Sequence, residues 1–340
     1  MKKIGINGLG RIGRLVLQHY LKNKTADIKI VAANDLTDID DLAYLLKYDS
    51  VYGVSQDKIK NDDNSITITK KIDNSKINIP VFHEKDPSNI PWEKFDVDIV
   101  LECTGLFRKR EDAAKHLMAG ASKVIISAPS KSADLTIVQG VNEDEYDPSN
   151  HEIISNASCT TNSLAPAVKI LNDLFTIKHL AVTTIHAYTT SQNLVDGNSR
   201  KRRRGRAAAI NLVPTTTGAA KATALVLPEL KGKMDAMAVR SPVVDGAITD
   251  IVAELKEEVT VEEVNNAFRK ASEGKMRGIV DYSEDELVSS DIIGSNFSGI
   301  VDAESTKVID KTLAKVLVWY DNEGGYAKKL LELAEYIAKK

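Results

Sequence analysis

The sequence predicts an α/β protein of two domains, in which a doubly wound parallel sheet is followed by an α+β half with a mixed, largely antiparallel sheet. Three observations carry that prediction. The 340 residues exceed what one hydrophobic core usually serves. Through the first half, continuous apolar runs alternate with helical patterns, as in strands buried on both faces of a parallel sheet. After about residue 158 the crossover helices give way to strands of alternating pattern.

Taken in order, Lys3–Asn7 is a β-rich run followed by Gly8, Gly10 and Gly13, and then by apolar Ile12, Leu15, Val16 and Tyr20 at helical spacing. Ile28–Ala33 is a second strand ending at Asn34-Asp35, and Asp98–Leu101 and Lys123–Ile126 are two more. The polar stretch Gln56–Ser75 around ITIT reads as an excursion or hairpin hung on that sheet. In the second half a helix begins near Thr160, and Leu180–Tyr188 and Lys315–Tyr320 are strands. Thr260 and Glu263 have capping-box spacing and start a helix through Ser272. Near the C-terminus, Ala327, Leu330, Ala334 and Ile337 form one apolar helix stripe that must pack somewhere.

Composition removes several classes of function. With 43% hydrophobic and 27% charged residues, and 19 Gly against 9 Pro, the chain can bury a sizeable core and is neither disordered nor fibrous. A net charge of −3 gives no overall field that would gather nucleic acid or a membrane surface. No apolar run approaches the length of a membrane span, and the start MKKIGINGLGR lacks a signal-peptide core. Two cysteines, Cys103 and Cys159, are too few for a secreted disulfide scaffold, so the expected compartment is reducing and cytoplasmic.

The hexad Gly8-Leu9-Gly10-Arg11-Ile12-Gly13 sits between a strand and a helix, where helix-start amides hold a pyrophosphate. Alone it is only a tight glycine turn. Asp35 lies 22 residues beyond Gly13 at the end of the next strand, where a carboxylate accepts hydrogen bonds from both ribose hydroxyls and repels a 2′-phosphate. Strand, hexad, helix, strand and acid in that order make an N-terminal Rossmann domain, with NAD as the expected cofactor.

Cys159 stands just before the helical pattern carrying Leu164, Val168 and Leu171, where the helix dipole favours thiolate over thiol. Cys103, at the end of a strand, reads as a small buried apolar residue. Alternation in LAVTTIHAY puts Leu180, Val182, Thr184 and His186 on one face. None of the six histidines has a second one at metal-ligand spacing, so no metal is expected.

The motifs INGLGRIGR, VAAND, ASCTTN, TIHAYT, TTTGAAKA, AMAVRSP and WYDNE occur in order from residue 6 to residue 323. Together they resemble the phosphorylating glyceraldehyde-3-phosphate dehydrogenases over essentially the whole chain. The resemblance implies that Cys159 attacks the aldehyde of D-glyceraldehyde 3-phosphate, that the resulting hemithioacetal gives up hydride to NAD and becomes a thioester, and that inorganic phosphate releases 1,3-bisphosphoglycerate. It implies that His186 supports the thiolate and moves the proton. Asn322 would orient the nicotinamide, Arg11 and Ile12 would border the pyrophosphate, and Ser127 would complete the cofactor set. Thr189 and Arg240, with Arg204, would hold the substrate's phosphate. Ser158, Thr160, Thr217 and Gly218 would hold the attacking phosphate, since hydroxyls and a glycine amide at a helix start suit an oxyanion.

The same resemblance implies a homotetramer, a C-terminal helix returning to the cofactor domain, and therefore domains at 1–158 with 322–340 and at 159–321. It places Arg200–Arg206, with six basic residues in seven, at a subunit interface. Such a run also suits a nucleic-acid patch, but no aromatics interleave the charges to stack bases. Three positions depart from the family pattern. Ser163 replaces a frequent second cysteine, so no disulfide can form there with Cys159. Gly324 follows WYDNE where a bulkier residue is usual, which predicts slack around Asn322. Asn198 replaces a proline that often walls the adenosine ribose, which weakens the exclusion of NADP. Erythrose-4-phosphate dehydrogenase is the nearest rival, and TTTGAAKA favours the triose phosphate enzyme.

Overall fold

The computed structural model describes residues 1–23 and 26–340. The chain divides into two compact units, Met1–Ile137 with Glu145–Ala157 and Ala327–Lys340, and Val138–Asp144 with Ser158–Tyr326.

In the first unit the apolar runs become a nine-stranded sheet. From one edge the strands are Leu135–Thr136, Ile153–Ser155, Lys123–Ile126, Ile99–Glu102, Lys2–Asn7, Ile28–Asn34 and Lys76–Phe82, all parallel. Ser65–Thr69 and Lys58–Asn61 continue it as an antiparallel hairpin, so the polar excursion expected at Gln56–Ser75 extends the sheet. Ile4, Ile6, Val100, Leu101, Val124 and Ile125 are fully buried, because helices cover both faces of a parallel sheet. Carboxyl ends of neighbouring strands place Asn7, Asn34, Glu102 and Ile126 side by side at one rim, where ligands bind in such sheets. Part of the helix Gly324–Ala338 belongs to this unit, and the stripe Ala327, Leu330, Ala334 and Ile337 lies in its core.

In the second unit a seven-stranded sheet runs Val213–Thr216, Met234–Ser241, Ile177–Ala187, Ala247–Leu255, Leu313–Tyr320, Gly299–Ile309 and Val280–Ser283. Two of its pairings are parallel and four antiparallel, as the alternating patterns predict. The helix Cys159–Phe175 packs on this sheet with the helices Ala219–Val226 and Val261–Glu273 beside it. Thr260 and Glu263 form the expected capping box, Glu263 N–H donating to the Thr260 hydroxyl at 3.2 Å and Thr260 N–H to the Glu263 carboxylate at 2.8 Å. Leu180, Val182, Thr184 and His186 share the buried face of their strand, and parallel register sets His186 directly beside Arg240. Among the described residues no helix is long and apolar enough to cross a membrane.

Candidate active site

Each glycine of the hexad has its own reason to be glycine. Gly8 leaves the first strand at φ +93°, and a Cβ there would lie 2.8 Å from the Thr104 amide. A Cβ on Gly13 would collide with the Gly8 carbonyl oxygen, so that position lets helix and turn close together. Gly10 has nothing within 4 Å of its missing Cβ, and it begins the helix Arg11–Lys22 without any side-chain cap or acidic first-turn residue. Its open face and uncapped amides fit a pyrophosphate. The Arg11 side chain is engaged elsewhere, its guanidinium pairing with Asp49 and lying 5.2 Å from the centre of the Tyr52 ring. That pairing holds the Asp49 carboxyl below its usual range despite burial. The Ile12 side chain packs against the core.

Asp35 takes the Leu9 amide on one carboxylate oxygen at 2.7 Å and the Thr37 amide on the other at 2.8 Å. Each oxygen keeps further accepting capacity for a hydroxyl. The carboxylate lines a cavity of about 520 Å³ together with Gly8, Gly10, Leu36, Thr104 and Phe107. Cys103 lines it too, and burial pushes its thiol up to about 12, so it stays protonated. The Ser127 hydroxyl faces that thiol and its amide donates to the Glu102 carbonyl at 2.9 Å. Cleft, open glycine and free carboxylate lone pairs together fit the adenosine and pyrophosphate of NAD.

Beneath the cleft lies a buried polar network that sequence reasoning missed. The Glu102 carboxylate accepts from Asn7 Nδ2 at 2.6 Å, from His116 Nε2 at 3.1 Å, and from the Thr104 amide and hydroxyl. Trp92 Nε1 donates to His116 Nδ1 at 3.0 Å, which leaves the ring proton on Nε2, facing Glu102. Asn34 Nδ2 in turn donates to the Asn7 side-chain oxygen at 2.8 Å. The network thus ties the residue before Gly8 to the residue before Asp35. Its one sequence signal is a carboxylate inside an otherwise apolar strand.

In the second unit, Cys159 opens a helix of 17 residues, and Ser158 caps it by accepting the Thr161 amide at 3.1 Å. Ala157 approaches this start at φ +56°, a left-handed conformation uncommon for a residue with a side chain. Cys159 Sγ stands 3.4 Å from His186 Nε2. His186 Nδ1 lies 2.7 Å from the Ala187 carbonyl oxygen, so Nδ1 carries the proton and Nε2 offers its lone pair to the sulfur. Tyr320 meets the imidazole edge-on with ring centres 5.9 Å apart, and its hydroxyl bonds Thr160 Oγ1 at 3.0 Å and Thr184 Oγ1 at 2.8 Å.

Burial pushes the Cys159 thiol up, opposed by the Arg240 charge and by the Thr160 hydroxyl and amide. Burial, joined by the Arg240 and Arg204 charges, lowers the His186 imidazole to about 3. The resting pair is therefore a neutral thiol beside a neutral imidazole, one proton transfer away from thiolate and imidazolium. Arg240 favours the thiolate and disfavours the imidazolium, so its field acts on the two halves of that transfer in opposite senses.

Arg240 Nη1 donates to the Ala187 carbonyl at 2.9 Å and to Thr189 Oγ1 at 3.1 Å, while its buried Nε has no partner. Thr189 Oγ1 lies 3.0 Å from Ser191 Oγ, which accepts from Arg204 Nη1 at 3.1 Å. Arg204 also donates to Thr215 Oγ1 at 3.0 Å and to the Thr216 carbonyl at 3.3 Å. The residues from Cys159 to Arg204 are thus brought together, with Ser191 and Tyr320 as members that sequence reasoning did not single out. Thr217 and Gly218 stand outside this chain of hydrogen bonds, at the start of the helix Ala219–Val226, where Thr217 Oγ1 accepts the Ala219 amide at 3.2 Å.

Asn322 is 5% exposed, and its side-chain oxygen has no partner, as suits a group that meets a ligand amide. The slack expected from Gly324 is absent: the Asp321 carboxylate takes the amides of Glu323, Gly324 and Gly294 at 2.9, 2.7 and 2.8 Å and ties the turn down.

Comparison with known proteins agrees with these observations. The NAD-binding-domain model of glyceraldehyde 3-phosphate dehydrogenase matches residues 2–110, and the C-terminal-domain model matches residues 158–322. The chain is 55% identical over 338 residues to glyceraldehyde-3-phosphate dehydrogenase of Geobacillus stearothermophilus, covering 99% of this chain and 98% of the relative. It is 53% identical over 338 residues to glyceraldehyde-3-phosphate dehydrogenase 1 of Bacillus subtilis, with the same coverage. Glyceraldehyde-3-phosphate dehydrogenase of Streptomyces coelicolor is 50% identical over 336 residues, or 98% of each chain.

Proposed function

Because the chain belongs to the glyceraldehyde-3-phosphate dehydrogenase family, we propose that it oxidises and phosphorylates D-glyceraldehyde 3-phosphate to 1,3-bisphosphoglycerate through a thioester on Cys159. The observation that carries this reading is the 3.4 Å contact between Cys159 Sγ and a His186 Nε2 lone pair at a helix start. Its relatives bear the triose phosphate name, which favours that aldehyde over erythrose 4-phosphate.

As Sγ attacks the aldehyde carbon, the thiol proton passes to His186 Nε2 and on to the carbonyl oxygen, leaving a hemithioacetal. NAD, when bound, supplies the acceptor for the hydride that leaves this carbon. His186 takes the hydroxyl proton in the same step, and the carbon becomes a thioester carbonyl. A phosphate oxygen then attacks that carbonyl, the carbon–sulfur bond breaks, and Cys159 departs as thiolate to recover its proton from His186. Arg240, Thr189 and Arg204 hold the substrate's own phosphate, the free Arg240 Nε being the donor that a phosphate oxygen would meet. Ser158, Thr160, Thr217 and Gly218 serve the attacking phosphate, with Thr160 also supporting the sulfur. Gly8, Gly10, Arg11, Ile12, Gly13, Asp35, Ser127 and Asn322 serve the cofactor.

The protein is a cytoplasmic homotetramer in this reading, consistent with two free cysteines and with a half-buried apolar sheet face bearing Ile185, Ile248, Leu317 and Trp319. The test is NADH formation from glyceraldehyde 3-phosphate with and without phosphate. Sustained turnover with phosphate, and no more than one NADH per chain without it, is expected. Sustained turnover in the absence of phosphate would overturn the acyl-phosphate route. Sedimentation of a monomer at assay concentration would overturn the tetramer.

A further inference from the structure

We infer that Glu102 is a positioning residue for NAD: its buried carboxylate fixes the spacing between the walls of the cofactor cleft and so sets the affinity for the adenosine half of the dinucleotide. This role rests on the assignment of that cleft to the adenosine end of NAD, and extends it to a residue that does not itself line the cleft.

Strand register builds a polar row at the rim of the first sheet. Asn7 is paired with Asn34 on one side and with Glu102 on the other, and all three are at most 4% exposed. One Glu102 oxygen accepts from Asn7 and His116, and the other accepts from the amide and the hydroxyl of Thr104. Each partner leads to a wall of the cleft. Asn7 passes the link to Asn34, whose side chain bonds both backbone groups of Glu84, Nδ2 donating to the carbonyl at 3.0 Å and Oδ1 accepting the amide at 2.8 Å. Thr104 Oγ1 accepts the Leu106 amide at 3.0 Å, and His116 stands edge-on to Phe107 with ring centres 6.4 Å apart. Asn7, Asn34, Glu84, Thr104, Leu106 and Phe107 all line the cleft.

Charge makes this arrangement stiff. Trp92 donates to His116 Nδ1, so the imidazole gives Glu102 a hydrogen bond without a full positive charge. Among the described residues no lysine or arginine pairs with Glu102, and neutral donors alone hold the anion. A buried carboxylate that loses a donor keeps its full desolvation cost, so each partner is hard to displace. The walls therefore cannot drift apart without breaking bonds to one ion. Gly8 depends on the same spacing, since its missing Cβ would lie 2.8 Å from the Thr104 amide.

Glu102→Gln tests this directly, because an amide nitrogen at either end of the side chain would face two donors and cannot accept from them. In the whole enzyme, ADP-ribose, a probe without the nicotinamide, is expected to bind about tenfold more weakly, the loss of one hydrogen bond to a charged group. KM for NAD should rise by about the same factor, while kcat at saturating NAD should not fall and alkylation of Cys159 by iodoacetamide in the cofactor-free enzyme should keep its wild-type rate. His116→Gln, which can still accept from Trp92 and donate to Glu102, should bind ADP-ribose as the wild type does. His116→Leu can do neither and should bind it about threefold or more weakly, and this pair decides the matter if Glu102→Gln does not fold. Wild-type ADP-ribose affinity in folded Glu102→Gln or His116→Leu, or a fall in kcat with KM unchanged, overturns the inference. Asp35→Ala is titrated alongside. If it weakens ADP-ribose binding and the network variants do not, only the role of Glu102 fails; if none of them does, the cleft is not the adenosine site.

Discussion

Replacing Arg240 by glutamine separates substrate recognition from chemistry, because the guanidinium acts on both. Its Nη1 holds the Ala187 carbonyl and Thr189, its Nε is free, and its charge bears on Cys159 and His186. A charge-assisted hydrogen bond to a phosphate contributes about 1.5–3 kcal/mol, so its loss should lower kcat/KM for glyceraldehyde 3-phosphate about tenfold to 150-fold. Loss of the field on the thiol and imidazole adds a further factor, but that factor is common to any aldehyde. The diagnostic quantity is therefore the ratio of kcat/KM for glyceraldehyde 3-phosphate to that for unphosphorylated glyceraldehyde, measured at one ionic strength. This ratio should fall by at least about tenfold in Arg240→Gln and recover in part in Arg240→Lys, which restores the charge but not the fork. Equal losses on both aldehydes, with a normal thermal melt, would refute the assignment of Arg240 to the substrate's phosphate.

Cys159→Ser should abolish turnover and leave NAD binding intact by fluorescence titration, since a serine hydroxyl at this site is barely ionised; residual aldehyde oxidation would exclude Cys159 as nucleophile. His186→Asn should slow turnover about a hundredfold or more. Because the folded imidazole has its pKa lowered from 6.5 to about 3, the unfolded chain binds a proton that the folded one does not between those values. Wild-type stability should therefore fall by about 1.4 kcal/mol for each pH unit below 6.5, a slope missing from His186→Asn in urea melts, and identical slopes would contradict the buried neutral imidazole. Asp35→Ala should raise kcat/KM with NADP and lower it with NAD, and an unchanged ratio would remove Asp35 from the ribose. Gly10→Ala should keep the melting temperature but weaken NAD binding, whereas Gly13→Ala, whose Cβ meets the Gly8 carbonyl, should cost about 1–3 kcal/mol of stability; the reverse pattern would refute the division of labour between the two glycines.

Local patterns in the sequence determined the strand–glycine–helix start, Asp35 after the second strand, the capping box at Thr260 and the helix that Cys159 opens, because each depends on neighbours a few residues away. Alternation likewise determined that His186 shares the buried face of its strand with Leu180, Val182 and Thr184. Only the tertiary structure decided which distant groups meet. His186 stands beside Arg240 because their strands pair in parallel register, and no local pattern fixes that register. Ser191 became a link between Thr189 and Arg204, and Tyr320 a brace on Thr160 and Thr184, through side-chain contacts that join separate segments. Glu102, at the end of an apolar strand, has its carboxylate surrounded by donors from Asn7, Thr104 and His116, which only the fold brings to it. Burial gave these groups their chemistry as well as their positions. The same cysteine and histidine would be an ordinary thiol and an ordinary base in an unfolded chain; burial holds both in their neutral forms, opposed at the thiol and reinforced at the imidazole by the Arg240 charge.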